Sequence, residues 1–506
     1  MSSSQAAPGA QAAIRALTLC TLLAGITQLP AFAQGPGGTT SAASATTSSS
    51  SAIGAGQTQL YNATGQNGAS SSQSSYNGSL IEGKNTGTTI DLTLDDAIAR
   101  GLRTNLGLIL QTSSVKNANG QRLQDLQALL PTVAGSAAIE VQQVNLAAYG
   151  LKISGFPSIV GPFQTEDFRA YLNQNVLNLN ALQTYIASKH NFAASKLTAQ
   201  DARDLVVLTV GNAYLLCIAD AARIESVKSE LETSNVTLKQ ATANHDAGTS
   251  PRLDVLRAQV DVQNEQQSLI SAVNTLAKDK IALARTIGLP LDQLFNVTDL
   301  APYKALDNVD PEAAFQQALK SRKDLLATQE SLKASESAKK AAFDDRLPTA
   351  TVAADYGDLG TTVGHSHSTY SATGTVSAPI LQVAKDRGEV DVADAQLEQA
   401  KARYSDQIQQ VNADVRDSIL DIQAAAKLVE ATHTNVTLAT EELSEAQQRF
   451  HAGVSDDLPV SQAQTAVEQA NDQYISALYQ HNVAKLALAR ALGVAQTNYK
   501  DYLGGK

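Results

Sequence analysis

The stretch from Gly248 to Gly288 reads GTSPRLDVLRAQVDVQNEQQSLISAVNTLAKDKIALARTIG, and it recurs without a gap from Gly453 to Gly493 as GVSDDLPVSQAQTAVEQANDQYISALYQHNVAKLALARALG. The offset is 205 residues, which sets Ala258-Gln259 on Ala463-Gln464 and Ala282-Leu283-Ala284-Arg285 on Ala487-Leu488-Ala489-Arg490. Upstream, Ala97 to Thr132 matches Ala314 to Thr349 at an offset of 217, with Leu130-Pro131-Thr132 on Leu347-Pro348-Thr349. The first copy therefore holds 12 extra residues between its two blocks, and the Gly- and Pro-bearing stretch from Gly150 to Pro157 is the loop expected to contain them. A period of about 210 residues is too long for a solenoid and indicates two copies of one half-protein.

Each copy has the same order of elements. A helix over Ala97 to Leu129 is ended by Pro131, a strand-like region follows, and then a proline-free run extends from Phe163 to Ser250. The second copy has its own proline-free run from Ile380 to Leu458. Long helices are expected at about 181–247 and 382–452, each spanning roughly 100 Å at ~1.5 Å per residue. The two shorter helices of the first copy, Ala97 to Leu129 and Leu253 to Ile287, together hold 68 residues, the length of the long one. That closure predicts two parallel columns per copy, one continuous and one made of two pieces, packed as coiled coil. Leu269, Val273, Leu276, Leu283 and Ile287 form the seam, which Gln263 to Ser268 interrupts.

Between the helices, Tyr370, Ala372, Gly374, Val376 and Ala378 alternate with Ser371, Thr373, Thr375 and Ser377. This is the pattern of a tilted membrane strand with an apolar lipid face and a polar lumen face. A soluble hairpin alternates in the same way. The companion regions, Thr349 to Tyr356, Val133 to Leu146 and Phe168 to Leu177, alternate less cleanly. No helix competes as an anchor: the most apolar candidate, Leu205 to Ala219, is interrupted by Thr209 and Asn212 and bounded by Asp204 and Asp220, so it reads as a buried helical segment.

The surrounding composition agrees. Of 506 residues 43% are hydrophobic but only 5% aromatic, with no Trp, so Ala, Leu and Val carry the apolar content. A net charge of −11 argues against a nucleic-acid or anionic-lipid binder. Arg15, the apolar run from Ala16 to Ile26 and the small residues Ala31 and Ala33 read as a secretory signal over residues 1–33. Lipidation at Cys20 is not expected, because bulky Leu19 precedes it. Removal of the signal leaves Cys217 as the one thiol, expected to be buried and structural. Residues 34–88 are rich in Ser, Gly and Thr and are expected to be disordered. No catalytic, phosphate-binding or cofactor-binding constellation stands out. His365-Ser366-His367 reads as an exposed loop tip rather than a metal pair.

Taken together, Leu94-x-x-Ala97-Ile98 with Asn105, Leu130-Pro131, Ala378-Pro379 and the paired tip motifs resemble the TolC family of outer-membrane efflux and secretion channels. The tips are Ala247-Gly248-Thr249-Ser250 before Leu253-Asp254, and Arg449-Phe450-His451-Ala452-Gly453-Val454-Ser455 before Leu458. The resemblance covers Leu92 to Gly493 and implies a mostly α protein with membrane β-barrel strands. In it a homotrimer has four strands and four helical columns per protomer, the outer membrane as its location and a periplasmic extension. The implied map is repeat 1 at 89–290 with strands at about 132–178 and a return helix at about 253–287, and a linker at 291–310. Repeat 2 follows at 311–494 with strands at about 349–378 and a return helix at about 458–492, and then a tail at 495–506. The implied role is a passive exit duct, not an enzyme, without cofactor or metal, and with a periplasmic adaptor and an inner-membrane pump as partners. The tip turns at Gly248, Thr249, Ser250, Gly453, Val454 and Ser455 would dock the adaptor, with Ser250 and Ser455 capping the following helices. Asp456, Asp457 and Asp254 are the candidate aperture charges, because Pro459 and Gln462 stand where the family's acidic constriction is expected. The rival reading is a soluble periplasmic coiled-coil adaptor or structural protein.

Overall fold

A computed structural model describes residues 76–150, 155, 157–299, 303–304, 309–452, 454 and 458–503. The signal expected at 1–33 and the polar segment at 34–75 lie outside the described residues. The first copy runs β1 (Ile90–Leu92), α1 (Leu94–Thr104), α2 (Leu106–Gln127), β2 (Thr132–Asn145), β3 (Ile159–Leu177), α3 (Leu179–Asp246) and α4 (Arg252–Ile287). After β4 (Phe295–Val297) the second copy runs α5 (Pro311–Ser321), α6 (Lys323–Asp344), β5 (Thr349–Gly360), β6 (Ser366–Ser377), α7 (Val383–His451) and α8 (Leu458–Ala491). A last helix, α9 (Ala495–Leu503), closes the chain.

The long helices hold 68 and 69 residues. Along one part of its length α3 is flanked by α2 and α6, and along the other by α4 and α8, while α7 is flanked by α6 and α8. Each copy thus pairs a continuous column with one built from two pieces. Small residues allow this close approach: Ala258, Ala393, Ala463, Ala470 and Ala477 are all buried on helix faces.

The opening helix expected over Ala97 to Leu129 is in fact two helices. Asn105 (φ −61°, ψ 127°) breaks it in the first copy and Arg322 (φ −65°, ψ 119°) breaks the second at the equivalent position. Asn105 turns the chain by chemistry of its own: Oδ1 accepts from the N–H groups of Gly107 (3.0 Å) and Leu108 (3.4 Å), and Nδ2 donates to Tyr76 O (2.6 Å). Arg322 has no cap to offer, and its buried guanidinium is fixed by Asp324 (2.5 Å) and Asp414 (2.6 Å). Burial raises the Asp324 pKa, but the Arg322 hydrogen bond and charge outweigh it and hold that carboxyl below its ordinary range.

Each break docks on the end of its own return helix through the same hydrogen bond. Thr104 Oγ1 donates to Ile287 O (3.0 Å), and Ser321 Oγ donates to Leu492 O (2.5 Å). The return helices then close with left-handed Gly288 (φ +71°) and Gly493 (φ +68°). Leu289 N–H returns to Ala284 O and Val494 N–H to Ala489 O, both at 2.9 Å, satisfying carbonyls the helix end leaves open.

Residues 76–88 correct the expectation of disorder to 88. Leu80 N–H donates to Thr104 O, Leu106 N–H to Gly78 O and Glu82 N–H to Gly288 O, each at 2.9 Å. Tyr76 is buried against Gly107. The segment is held by helix-end backbone groups, which composition does not count.

Two apolar cores surround these junctions. One joins Ala97, Ile98, Val206, Val207, Val210, Tyr214, Leu283 and Ile287, and the other joins Ala318, Leu325, Val411, Val415, Ile419 and Leu488. The apolar window of α3 is long enough to cross a membrane by composition, yet its Val206, Val207, Val210, Tyr214 and Cys217 are the first core's centre. Burial pushes the Cys217 thiol up to about 12, so it is inert. Tyr214 donates to Leu92 O (2.8 Å), tying α3 to the β1–β4 pair.

The other strands form one antiparallel sheet in the order β2-β3-β5-β6. The strands of the first copy are 14 and 19 residues long, those of the second 12 each. The extra residues expected in a loop at Gly150 to Pro157 therefore go largely into longer strands, where each added pair gains two ladder hydrogen bonds or a side-chain contact. Positions 151–154 and 156 of that stretch lie outside the described residues.

A Cβ at residue 493 would lie 2.9 Å from the Arg322 backbone, on a residue already at positive φ. Gly493→Ala is expected to cost about 2–4 kcal/mol, from the left-handed penalty and overpacking combined. Gly388→Ala, with open space on α7, should be neutral or gain up to ~1 kcal/mol. Thermal unfolding of the two purified variants decides it, and an equal unfolding temperature for both would remove the junction from its structural role.

Candidate functional site at the strand face and the helical tips

Residues paired across antiparallel strands share a face, so the register sorts the sheet. One row runs Val133, Leu172, Ala354, Ala372 and the next runs Gly135, Ala170, Tyr356, Tyr370. Ile139, Val141, Val352 and Val376 extend the same face. The alternate rows are polar: Ser136, Arg169, Gly357, Thr369, and nearer the helices Asn173, Ala353 and Thr373. On that polar face Arg169 is ion-paired with Asp355 and Asp167 and donates to Thr369 Oγ1 (3.2 Å).

The apolar face has no cover among the described residues. Tyr370 is 82% exposed, Val376 76% and Val133 72%. Farther from the helices Asp358 and Glu166 join this face, but the rows of Val133 and Tyr370 leave large apolar side chains bare together, an arrangement that is not stable in water. Lipid on this side and solvent on the other satisfy the pattern. The outer edges of β2 and β6 find no strand partner among the described residues. His365 and His367 sit at the β5–β6 connection and the start of β6, both exposed, where His365 Nδ1 is 3.1 Å from Thr362 Oγ1.

At the other end of the columns the first tip is a tight turn. Gly248 takes φ +75°, Thr249 N–H and Oγ1 both reach Asn244 O (2.9 and 2.8 Å), and His245 Nδ1 lies 3.1 Å from Ser250 O. Ser250 does not cap the next helix. Pro251 occupies the cap, without a side-chain bond, and Ser250 Oγ is buried with no partner among the described residues. The helix starts instead on a backbone bond, Asp254 N–H to Pro251 O at 3.1 Å. Asp254 is turned inward, 3% exposed, with Arg257 at 3.8 Å. At the second tip Val454 is exposed and its N–H donates to Arg449 O (3.1 Å), the equivalent of the Thr249 to Asn244 bond. Gly453, Ser455, Asp456 and Asp457 lie outside the described residues.

The two hairpins share a small core at this end: Ala241 from α3, Ala258 from α4, Phe450 from α7 and Val460 from α8. Above it sits a group that sequence reading missed. Glu230, Glu265 and Glu468, from α3, α4 and α8, place one carboxylate oxygen each within 4.8 Å of the others. Ser226 Oγ (2.9 Å) and Asn471 Nδ2 (3.2 Å) donate to Glu230 Oε1. Burial, then Glu468, Glu230 and Asp261, pushes Glu265 up to about 7, and burial with Glu230 and Asp472 raises Glu468. Three helices separated by up to 238 positions bring these carboxylates together, so no local motif announces them. The cluster can share protons at neutral pH, and its donor set is that of a hard cation.

The profile of the outer membrane efflux protein family matches residues 102–289 and 314–494, once for each copy. The pyoverdine export outer membrane protein OpmQ of Pseudomonas putida is 24% identical over 59% of this chain and 64% of its own length. The solvent efflux pump outer membrane protein SrpC of Pseudomonas putida is 26% identical over 74% of this chain and 76% of its own. Among solved structures, the outer-membrane channel OprN aligns with a TM-score of 0.70 at 19% identity, covering 80% of this chain and 90% of OprN. VceC of Vibrio cholerae aligns at 0.69 and 18% identity, covering 79% and 96%.

The sign of the pH dependence at Glu265 follows from its raised value. Unfolded, it titrates near 4.5; folded, it keeps its proton to about 7. Stability is therefore lost as pH rises between these values, and the cost is complete above pH 7. Glu265→Gln should raise the unfolding temperature by a few degrees at pH 8 and much less at pH 5. The same gain at both values would show that the carboxylates do not interact.

Proposed function

The chain belongs to the outer membrane efflux protein family, and we propose that it is the outer-membrane exit duct of a multicomponent efflux pump. It works as a homotrimer and as a passive conduit that performs no chemistry of its own. The observation that carries this reading is the sheet of four strands, apolar on one exposed face and polar on the other, joined directly to helical columns of roughly 100 Å. A four-stranded sheet with two open edges cannot sit in lipid, because every unpaired edge N–H and C=O there costs several kcal/mol. Pairing β6 of one protomer with β2 of the next removes all edges, and three protomers give twelve strands. The polar rows headed by Arg169 and Thr369 then line the lumen, and Tyr370 and Val376 face lipid.

The helical columns continue the lumen across the periplasm and end at the Gly248 and Gly453 tips, where a periplasmic adaptor and an inner-membrane pump deliver the substrate. Related proteins carry names that specify pyoverdine, solvent, toluene and antibiotic efflux, so one channel frame serves cargo of very different chemistry. Selection in this chain's pump accordingly rests with the partners. The rival, a soluble coiled-coil adaptor, leaves the exposed apolar strand face without a purpose.

Purified protein added to a planar bilayer is expected to insert and give low, mostly closed conductance. Phe450→Ala removes the largest side chain of the shared tip core and should raise open probability several-fold. Replacing Asp456 and Asp457 by Ala, chosen by sequence position, should raise conductance or weaken block by divalent cations. Extraction without detergent together with no conductance in any of these variants would return the chain to the soluble reading.

A further inference from the structure

On α8, His481, Asn482 and Lys485 are 0%, 2% and 0% exposed. Neither ring nitrogen of His481, neither amide atom of Asn482 nor Nζ of Lys485 has a hydrogen-bond partner among the described residues. Buried polar groups are almost always paired, and an unpaired one forfeits its full desolvation penalty. Three such side chains within two helical turns are not an accident of packing. The i, i+4 spacing puts His481 and Lys485 on one face. Over that face lies Tyr303, whose ring is 5.0 Å from the His481 ring.

The local field is positive. Besides burial, the charge acting on His481 is that of Lys485, and the charge acting on Lys485 is that of Lys304, next to Tyr303. Internal duplication provides a reference state. At the offset of 205, Lys485-Leu486-Ala487-Leu488-Ala489-Arg490 falls on Lys280-Ile281-Ala282-Leu283-Ala284-Arg285. Lys280 donates to Phe295 O at 2.8 Å and lies over the Phe295 ring at 5.7 Å. The same lysine therefore has a built-in acceptor in the first copy and none among the described residues in the second.

We propose that Lys485, His481 and Asn482 bind a compact inorganic anion of the halide class beneath Tyr303. The three side chains offer ammonium, imidazole N–H and amide N–H donors, which is the complement of a bare anion. Their near-zero exposure excludes a phosphate or a carboxylated metabolite, which restricts the anion to a monatomic one. Burial pushes Lys485 down to about 8 and His481 down to about 4, and a bound anion opposes both shifts. Its role is to neutralise the buried ammonium and hold the Tyr303–Lys304 stretch against α8, making the stability of that contact depend on the anion present.

The test uses the full chain purified in detergent. Crystals grown in sodium bromide should show an anomalous peak within hydrogen-bonding distance of Lys485 Nζ. In solution, sodium chloride or bromide should raise the unfolding temperature above that in sodium gluconate at the same ionic strength. Lys485→Met should abolish that difference, while Lys280→Met, whose lysine has its own acceptor, should retain it. Water without anomalous signal at the site overturns the proposal, as does a bromide peak with no halide-dependent shift, which would mean an adventitious ion only. If Lys485→Met fails to fold, the wild-type diffraction and salt comparison decide alone.

Discussion

A continuous helix of 68 residues can be flanked along its whole length by two shorter helices only if those two meet end to end, and the collar is built around that meeting. Helix ends are the costly part of such an arrangement, because four N–H groups are left open at each N-terminus and four C=O groups at each C-terminus. The molecule resolves this twice with one device. A hydroxyl, Thr104 or Ser321, donates to the last carbonyl before a left-handed glycine, Gly288 or Gly493, and a single extended residue, Asn105 or Arg322, turns the chain away. In the first copy the arm of residues 78–82 completes the set, pairing with Thr104 O, Gly288 O and the Leu106 N–H. The two apolar cores then form beside the junctions, since this is where most helices converge.

The sheet depends on the same frame. Each strand pair is inserted between a short helix and a long one, so the strands leave the columns at fixed spacing. Gln174 Nε2 and Asn175 Nδ2 donate to Leu129 O and Ala128 O, the last carbonyls of the first column, and so anchor strand to helix. A row such as Gly135, Ala170, Tyr356, Tyr370 draws on both copies, so the apolar face exists only once they are packed. The strand sheet and the helical columns are in this sense one packing unit.

Much of this was readable from the chain. Two gapless self-matches, the proline-free runs and the strict alternation from Tyr370 to Ala378 each report one physical requirement: equal packing surfaces, unbroken hydrogen bonding, and two unlike solvents. What escaped depends on partners distant in sequence. Arg322 carries no turn chemistry, and its extended conformation is imposed by Asp324, Asp414 and the approach of Gly493. Residues 76–88 have the composition of the polar stretch before them, and their backbone hydrogen bonds to helix ends leave no mark on composition. Ser250 fits the cap pattern, yet Pro251 starts the helix one residue later. Glu230, Glu265 and Glu468 belong to three helices and become neighbours only when the columns assemble.

The distribution of apolar contacts along the columns also decides where such a duct can open. Local opening costs least where the fewest buried apolar contacts must be broken. Around the junctions sit two large cores, one holding Leu283 and Ile287 and the other Val411 and Leu488, and Tyr502 of α9 packs against both. At the tips the shared core is Ala241, Ala258, Phe450 and Val460, three of them small. Between the two lies the Glu230, Glu265 and Glu468 cluster, which repels unless it holds a proton. Columns held firmly at the collar, weakly at the tip and mutually repelling in between can splay from the tip without disturbing the strands. A passive gate worked from the periplasm requires that gradient, and the residues that set it lie in the return helices and in the long helices they pack against, outside the membrane sheet.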